Sequence, residues 1–296
     1  MTPPIILSAG PLRLELNPSI GGSISAFDWV EGARLPVLHN RRSEGAHPLN
    51  MANFPLIPFV NRVRGGAFSF RGKSVRLQPN LADDISPLHG QGWLAPWTVD
   101  RADGQEALLS FRHAAGEWPW DYEALQVLRL DPEGLSYRLT CHNTSKDAMP
   151  CGLGIHPYFP CGSDTRLDTE VEYVWTIDEN VLPVEKVRAE GHFSLSDRAV
   201  CGQELDHGFG GWGGRARVSD PAWPFHTEFS SPTAKFFQVY SPATGGYFCA
   251  EPVSHANTAM NFAEEQWAEL GWQVLEPGAE MVLDVRIDVI PSGPSG

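Results

Sequence analysis

The sequence predicts an all-β protein, a large antiparallel β-sandwich, on three observations. Apolar and polar residues alternate with period two in several stretches, turn formers separate those stretches, and no segment sustains the 3.6-residue period of a helix. In chain order, Leu12, Leu14 and Leu16 open the series between polar neighbours. Arg71-Gly72-Lys73 and Asp131-Pro132-Glu133-Gly134 are turn sequences, and the second leads into Leu135, Tyr137, Leu139 and Cys141. Val171, Tyr173 and Trp175 repeat the alternation. Residues 257–270 have helical propensity without a sustained period, and are expected to hold at most a short helix. A third turn, Glu276-Pro277-Gly278, precedes Met281, Leu283, Val285, Ile287 and Val289, with Asp284, Arg286 and Asp288 on the opposite face. Each alternation marks a half-buried strand. The strands that flank the turns are expected to pair as hairpins.

Composition sets the bounds. A chain of 296 residues with 42% hydrophobic content, 10 Trp, 15 Phe and 6 Tyr can bury a sizeable core, which excludes disorder. With 25 Pro and 29 Gly spread along the chain, no tandem repeat and no composition break, one domain over residues 1–290 is expected, followed by a disordered Pro/Ser/Gly tail at 291–296. The formal charge of -14 and the lack of any Lys/Arg-rich run argue against nucleic acid or an anionic membrane as partner. They do not exclude a neutral ligand. Five cysteines, at 141, 151, 161, 201 and 249, form no CxxC pair and are expected to be reduced and mostly buried. The N-terminus lacks a basic region followed by a long apolar one, and no run approaches the roughly 18 apolar residues of a membrane span. The expectation is a soluble, cytoplasmic protein.

Five segments break the alternation with dense mixtures of polar, aromatic, Gly and Pro residues. They are Asn53-Phe-Pro-Leu-Ile-Pro-Phe-Val-Asn-Arg62-Val-Arg64, Pro87-Leu-His89-Gly-Gln-Gly-Trp93, Gly154-Ile-His156-Pro-Tyr-Phe159, Leu205-Asp206-His-Gly-Phe-Gly-Gly-Trp212, and Cys249-Ala-Glu251-Pro-Val-Ser-His255-Ala-Asn257. Rigid β scaffolds carry function in such loops and strand ends. On residue type alone each candidate has a plain alternative. His156 can be a packed strand histidine, Glu251 a salt-bridged carboxylate, His89 a loop hydrogen-bonding group and Asp206 a turn former.

In this order, the five segments resemble the aldose 1-epimerase (galactose mutarotase) family. Asn-Arg-Val-Arg-Gly-Gly-x-Phe is similar to its N-R-I-x-x-G-x-F run and Pro-Leu-His-Gly to its L-H-G, and the other three resemble its histidine, aspartate and glutamate segments. The matches run from about residue 50 to 260. The resemblance implies the supersandwich of that family and a mutarotase that interconverts the α and β anomers of an aldose. It implies His156 as general acid and Glu251 as general base, with Arg62, His89 and Asp206 binding the sugar. Opening a pyranose removes the anomeric hydroxyl proton while protonating the ring oxygen, tasks that suit a carboxylate and an imidazolium. The two groups are expected on opposite sides of one pocket. No cofactor is expected, and no metal, since H-E-x-x-H and HxH clusters are lacking.

Arg64 is expected to be structural, and His207 and His255 are given no role. The histidine segment reads Gly-Ile-His-Pro-Tyr-Phe rather than Asn-His-Ser-Tyr-Phe, so galactose specificity does not follow. The alternatives are a hexose-6-phosphate 1-epimerase, with Arg64, Arg71 and Lys73 as a small cationic cluster, a non-catalytic carbohydrate-binding sandwich, and a glycoside hydrolase using Asp206 and Glu251. The preferred sugar and the oligomeric state are left open.

Overall fold

The computed structural model of the chain describes residues 4–40, 42–82 and 84–292. Strands account for 49% of the chain, and no helix reaches seven residues among those described. Two large antiparallel sheets dominate. One has nine strands in the order Arg198–Ala199, Arg166–Thr169, Arg215–Ser219, Phe225–Ser230, Glu280–Pro291, Gly134–Asn143, Tyr122–Asp131, Glu106–His113, Thr98–Ala102. The other runs Pro183–Arg188, Tyr173–Ile177, Leu205–Gly210, Phe236–Ser241, Tyr247–Val253, Gly154–Ile155, Pro55–Leu56, with Tyr158–Pro160 also pairing on Tyr247–Val253. A four-stranded sheet is formed by Ile5–Ala9, Leu12–Asn17, Ser23–Trp29 and Leu35–Leu38. Rings from the two large sheets meet in the core: Phe229 lies 5.8 Å from Phe237, and Phe159 lies 5.4 Å from Phe229 and 5.5 Å from Phe248.

Period-two patterning translates directly into burial where one sheet face meets water. Leu12, Leu14 and Leu16 are fully buried, and Met281 to Val289 bury every second residue along Glu280–Pro291. Asp131 and Gly134 pair across their turn, where the Asp131 carboxylate accepts the N–H groups of Glu133 and Gly134. Arg71 and Gly72 both have positive φ, as a two-residue hairpin between Phe70 and Lys73 requires.

Two expectations are corrected. The third turn does not close a hairpin: Gln273–Leu275 pairs with Met149–Cys151, and Glu280–Pro291 with Gly134–Asn143 and Phe225–Ser230. Asn143 from the adjoining strand draws the turn aside, donating its side-chain amide to Leu275 O and accepting the Gly278 N–H. The strand read from Val171, Tyr173 and Trp175 begins at Tyr173, and Val174 on its other face is also buried. Its sheet is covered on both faces, by the core on one and by loops on the other, so burial alternation is lost. Residues 257–270 form two three-residue 3₁₀ turns, Ala259–Asn261 and Glu264–Gln266.

All five cysteines are free thiols, with Cys141, Cys151 and Cys249 buried. Among the described residues, no helix is long and apolar enough to cross a membrane. Of the expected tail, Pro291 pairs with Phe225 and Ser292 donates its N–H to Pro224 O, while residues 293–296 lie outside the described residues.

Candidate active site

The pocket opens on the face of the eight-stranded sheet that points away from the core. On Tyr247–Val253, Phe248 and Ala250 face inward to the core, so the alternate residues Tyr247, Cys249 and Glu251 face the pocket side. Glu251 lies opposite Gln238, and Asp206 lies opposite Tyr240 on the next strand. His156 follows the short strand Gly154–Ile155, where the lack of a side chain at Gly154 matters. A Cβ there would stand 2.7 Å from Val60 Cγ1 and 2.9 Å from Val253 Cγ1. That close approach seats the histidine segment between the strand of Glu251 and the segment leading to Arg62. The His156 N–H then donates to Phe54 O.

A cavity of about 330 Å³ results, at the small end of ligand sites, which run from about 300 to 1,000 Å³. All five residues expected from the sequence line it: Arg62, His89, His156, Asp206 and Glu251. His156 Nε2 lies 3.4 Å from Glu251 Oε1, and both side chains are almost wholly buried. The two are therefore adjacent, not on opposite sides as expected. Chemistry favours that placement, because the anomeric hydroxyl and the ring oxygen are bonded to the same carbon. The imidazole packs against Phe54, at 4.6 Å, and Tyr158, at 4.8 Å, and meets His89 edge-on at 5.5 Å.

Burial dominates the electrostatics. It lowers the His156 pKa to about 3 and raises that of Glu251 well above the usual value, with the Asp206 charge adding to the rise and Arg62 opposing it. Both shifts disfavour charge on the pair. Asp206 is pushed up to about 6 by burial, against the pull of Arg62 and of its 2.8 Å hydrogen bond from Gln238. His89 is held well below its ordinary value by burial and by the neighbouring His156 and Arg62. Its Nδ1 accepts the Asn61 N–H at 3.1 Å, so the neutral ring carries its proton on Nε2. Arg62 is oriented by Asp84, with Nε 3.0 Å from Oδ2, and by Asn61 Oδ1.

Sequence reasoning overlooked Asn61, Asp84, Gln238 and the tyrosines Tyr240 and Tyr247. Gln238 left a signal, being the one polar residue in Phe236-Phe-Gln-Val-Tyr240. Asp84 left none, since only the folded loop brings it to Arg62. Trp93 and Trp212 are core residues, their indole N–H groups donating to Leu88 O and Thr169 Oγ1. Arg64, Arg71 and Lys73 do not gather as a cationic cluster at the pocket. Arg64 donates to Pro183 O, Arg71 pairs with Glu276, and Lys73 lies 3.6 Å from Asp147. His156, Cys249 and Glu251 bring a nitrogen, a sulfur and an oxygen within 4.8 Å of one another, a donor set that a thiophilic divalent ion could use. A larger groove of about 650 Å³ lies on the solvent face of the nine-stranded sheet, among Asp168, Arg217, Glu228 and Asp288. It brings together no comparable buried imidazole and carboxyl.

The family model for aldose 1-epimerase matches residues 18–288. The chain belongs to the aldose 1-epimerase family. It is 33% identical over 261 residues to the uncharacterized Escherichia coli protein YphB, covering 84% of this chain and 87% of YphB. Among solved structures, an Escherichia coli K12 protein provisionally named an aldose 1-epimerase superposes with a TM-score of 0.87 at 27% identity, covering 98% of this chain and 99% of the other. A galactose mutarotase-like protein from Clostridium acetobutylicum superposes with a TM-score of 0.84 at 17% identity, over 97% and 95% of the two chains, and shows the shared fold. Family and fold together make this epimerase-family chain a carbohydrate isomerase of the epimerase or mutarotase type.

Proposed function

We propose that this chain is an aldose 1-epimerase acting on a free, uncharged aldose, with His156 and Glu251 as the acid–base pair. The observation that carries the reading is the buried 3.4 Å contact between His156 Nε2 and Glu251 Oε1. With the ring closed, the reactive pair is imidazolium and carboxylate. Glu251 takes the proton of the anomeric hydroxyl and His156 gives its own to the ring oxygen. The open aldehyde then faces a neutral imidazole and a carboxylic acid. Rotation about C1–C2 and reversal of both transfers complete the exchange without cofactor or redox step.

Burial penalises the imidazolium–carboxylate pair relative to the neutral pair, so the two protonation states that alternate through the cycle differ in cost, and the ion pair must be formed before each ring opening. General acid and base groups each contribute typically about 10²–10⁴-fold, enough for a reaction that already proceeds slowly in water. Arg62, His89 and Asp206 would bind sugar hydroxyls, with Gln238 fixing Asp206. The engagement of Arg71 with Glu276 and of Lys73 with Asp147 speaks against a phosphorylated substrate. The five unbridged thiols suit the cytoplasm, and the reading takes residues 1–290 as one catalytic domain.

An NMR exchange screen over free aldoses and their 6-phosphates tests the proposal. Accelerated anomer exchange of at least one free aldose is expected. A tenfold preference for a phosphorylated sugar would replace it with the hexose-6-phosphate reading, and binding without acceleration would leave a carbohydrate-binding module.

A further inference from the structure

His255 and Asn257 follow Glu251 in the same motif but neither lines the main cavity. Their partners lie on the segment that carries Arg62. Asn61 has φ of 56° there, a left-handed conformation, and the stretch keeps only an isolated antiparallel bridge, Arg62 opposite Leu88, so its N–H groups need other acceptors. Three consecutive ones are met by side chains. Val60 N–H donates to His255 Nε2 at 3.1 Å, Asn61 N–H to His89 Nδ1 at 3.1 Å, and Arg62 N–H to Asn257 Oδ1 at 3.0 Å. Backbone bonds close the cradle: His89 N–H donates to Asn61 O, and Thr258 N–H to Arg62 O.

Each acceptor is fixed by its second bond. His255 Nδ1 lies 2.8 Å from Ala256 O, which can only accept, so Nδ1 holds the proton and Nε2 keeps the lone pair that Val60 uses. The ring is wedged, with Trp272 edge-on at 4.2 Å and Gly152 so near that a Cβ there would stand 2.0 Å from His255 Cδ2. The Asn257 amide donates to Val181 O at 3.1 Å, which turns its oxygen toward Arg62.

We propose that His255 and Asn257 are positioning residues of the reaction: they hold the backbone on either side of Asn61, setting where the Arg62 guanidinium meets the sugar and keeping His89 with its Nε2–H free for it. The functional half of this proposal rests on the sugar-site reading above, whereas the tautomers do not. Nitrogen-15 NMR of the full chain at pH 7 is expected to show His255 protonated on Nδ1 and His89 on Nε2, opposite neutral tautomers in one site. Either ring in the other tautomer, or doubly protonated, overturns the cradle.

The second arm is kinetic. Asn257→Ala is expected to raise the sugar KM by about tenfold or more with kcat within about threefold, because a displaced binding group weakens ground and transition states alike. Asn257→Asp keeps the acceptor for the Arg62 N–H but loses the bond to Val181 O, and is expected to raise KM less than Asn257→Ala does. An Asn257→Ala chain of unchanged melting temperature and unchanged KM, or an Asp variant as impaired as the Ala variant, overturns the positioning role. If Asn257→Ala does not fold, the tautomers decide. Should the parent bind sugars without turning them over, the Kd replaces KM; that result would sink the mutarotase reading and not this one.

Discussion

The solvent face of the nine-stranded sheet and the pocket face of the eight-stranded sheet use the same kinds of side chain to opposite effect. On the first, charges are paired within and between strands. Arg286 Nη1 lies 2.6 Å from Asp131 and its Nε 2.6 Å from Asp288, and Arg138 is 2.7 Å from Asp284. The Arg286 hydrogen bond lowers the Asp131 pKa to about 2, the main influence on that carboxyl. On the second, Asp206 rises to about 6 and Glu251 rises well above its usual value, since burial outweighs the pull of the Arg62 guanidinium, itself held by Asp84. A carboxylate with its own arginine contributes to stability and is chemically quiet. A carboxylate buried beside an imidazole, with the arginine shared, is ready to exchange a proton.

The largest effect that would break this comparison is loss of the pair. Glu251→Gln and His156→Asn are each expected to cut anomer exchange by about 10²–10⁴-fold, measured by polarimetry, while the melting temperature holds or rises. Either variant retaining parent activity would remove that residue from the mechanism. A smaller loss is expected for Asp206→Asn, about 10- to 100-fold in kcat/KM, from a hydrogen bond to a charged group. Equal kinetics in this variant would confine Asp206 to its contact with Gln238.

The pH profile sharpens the contrast without mutation. The active pair carries one proton in total. A second is added only as pH falls toward the lowered His156 value of about 3, and the last leaves only as pH climbs through the raised Glu251 value. The pair itself is therefore expected to give no inflection in the ordinary carboxylate range, near about 4.3, and to set a decline on the alkaline side, while protonation of Asp206 gives an acid limb in kcat/KM near about 6. An acid limb centred near about 4.3 would show an unshifted glutamate.

The smallest effect belongs to the solvent face. Asp131→Asn is expected to leave anomer exchange unchanged and to cost about 1 kcal/mol or less, because the Asp131–Arg286 pair is partly exposed and screened. The folded pKa of Asp131 is depressed, so its contribution is complete above the unfolded value of about 3.9 and disappears as pH falls through about 2. Denaturant melts of parent and variant should thus converge in acid. Divergence there would mean that the pair is not what lowers Asp131.

Much of this was legible in the chain. Alternation fixed the strands whose other face meets water, such as Glu280–Pro291, because a period of two maps directly onto a half-buried sheet. It misplaced the strand at Tyr173, where both faces are covered, and mispaired the turn at Glu276, where Asn143 reaches in from another strand. Five motif segments pointed to Arg62, His89, His156, Asp206 and Glu251, and the fold gathers them in one cavity.

What the residues determine by themselves is which groups are able to exchange protons and bind hydroxyls, since that is a property of side-chain type and local backbone. Only the tertiary structure decided that His156 and Glu251 touch, that Asp84 takes part of Arg62, and that His255 and Asn257 hold the segment between them. Proton affinity depends on burial and on charges brought close from distant parts of the chain. Neither quantity exists until the sheets have packed.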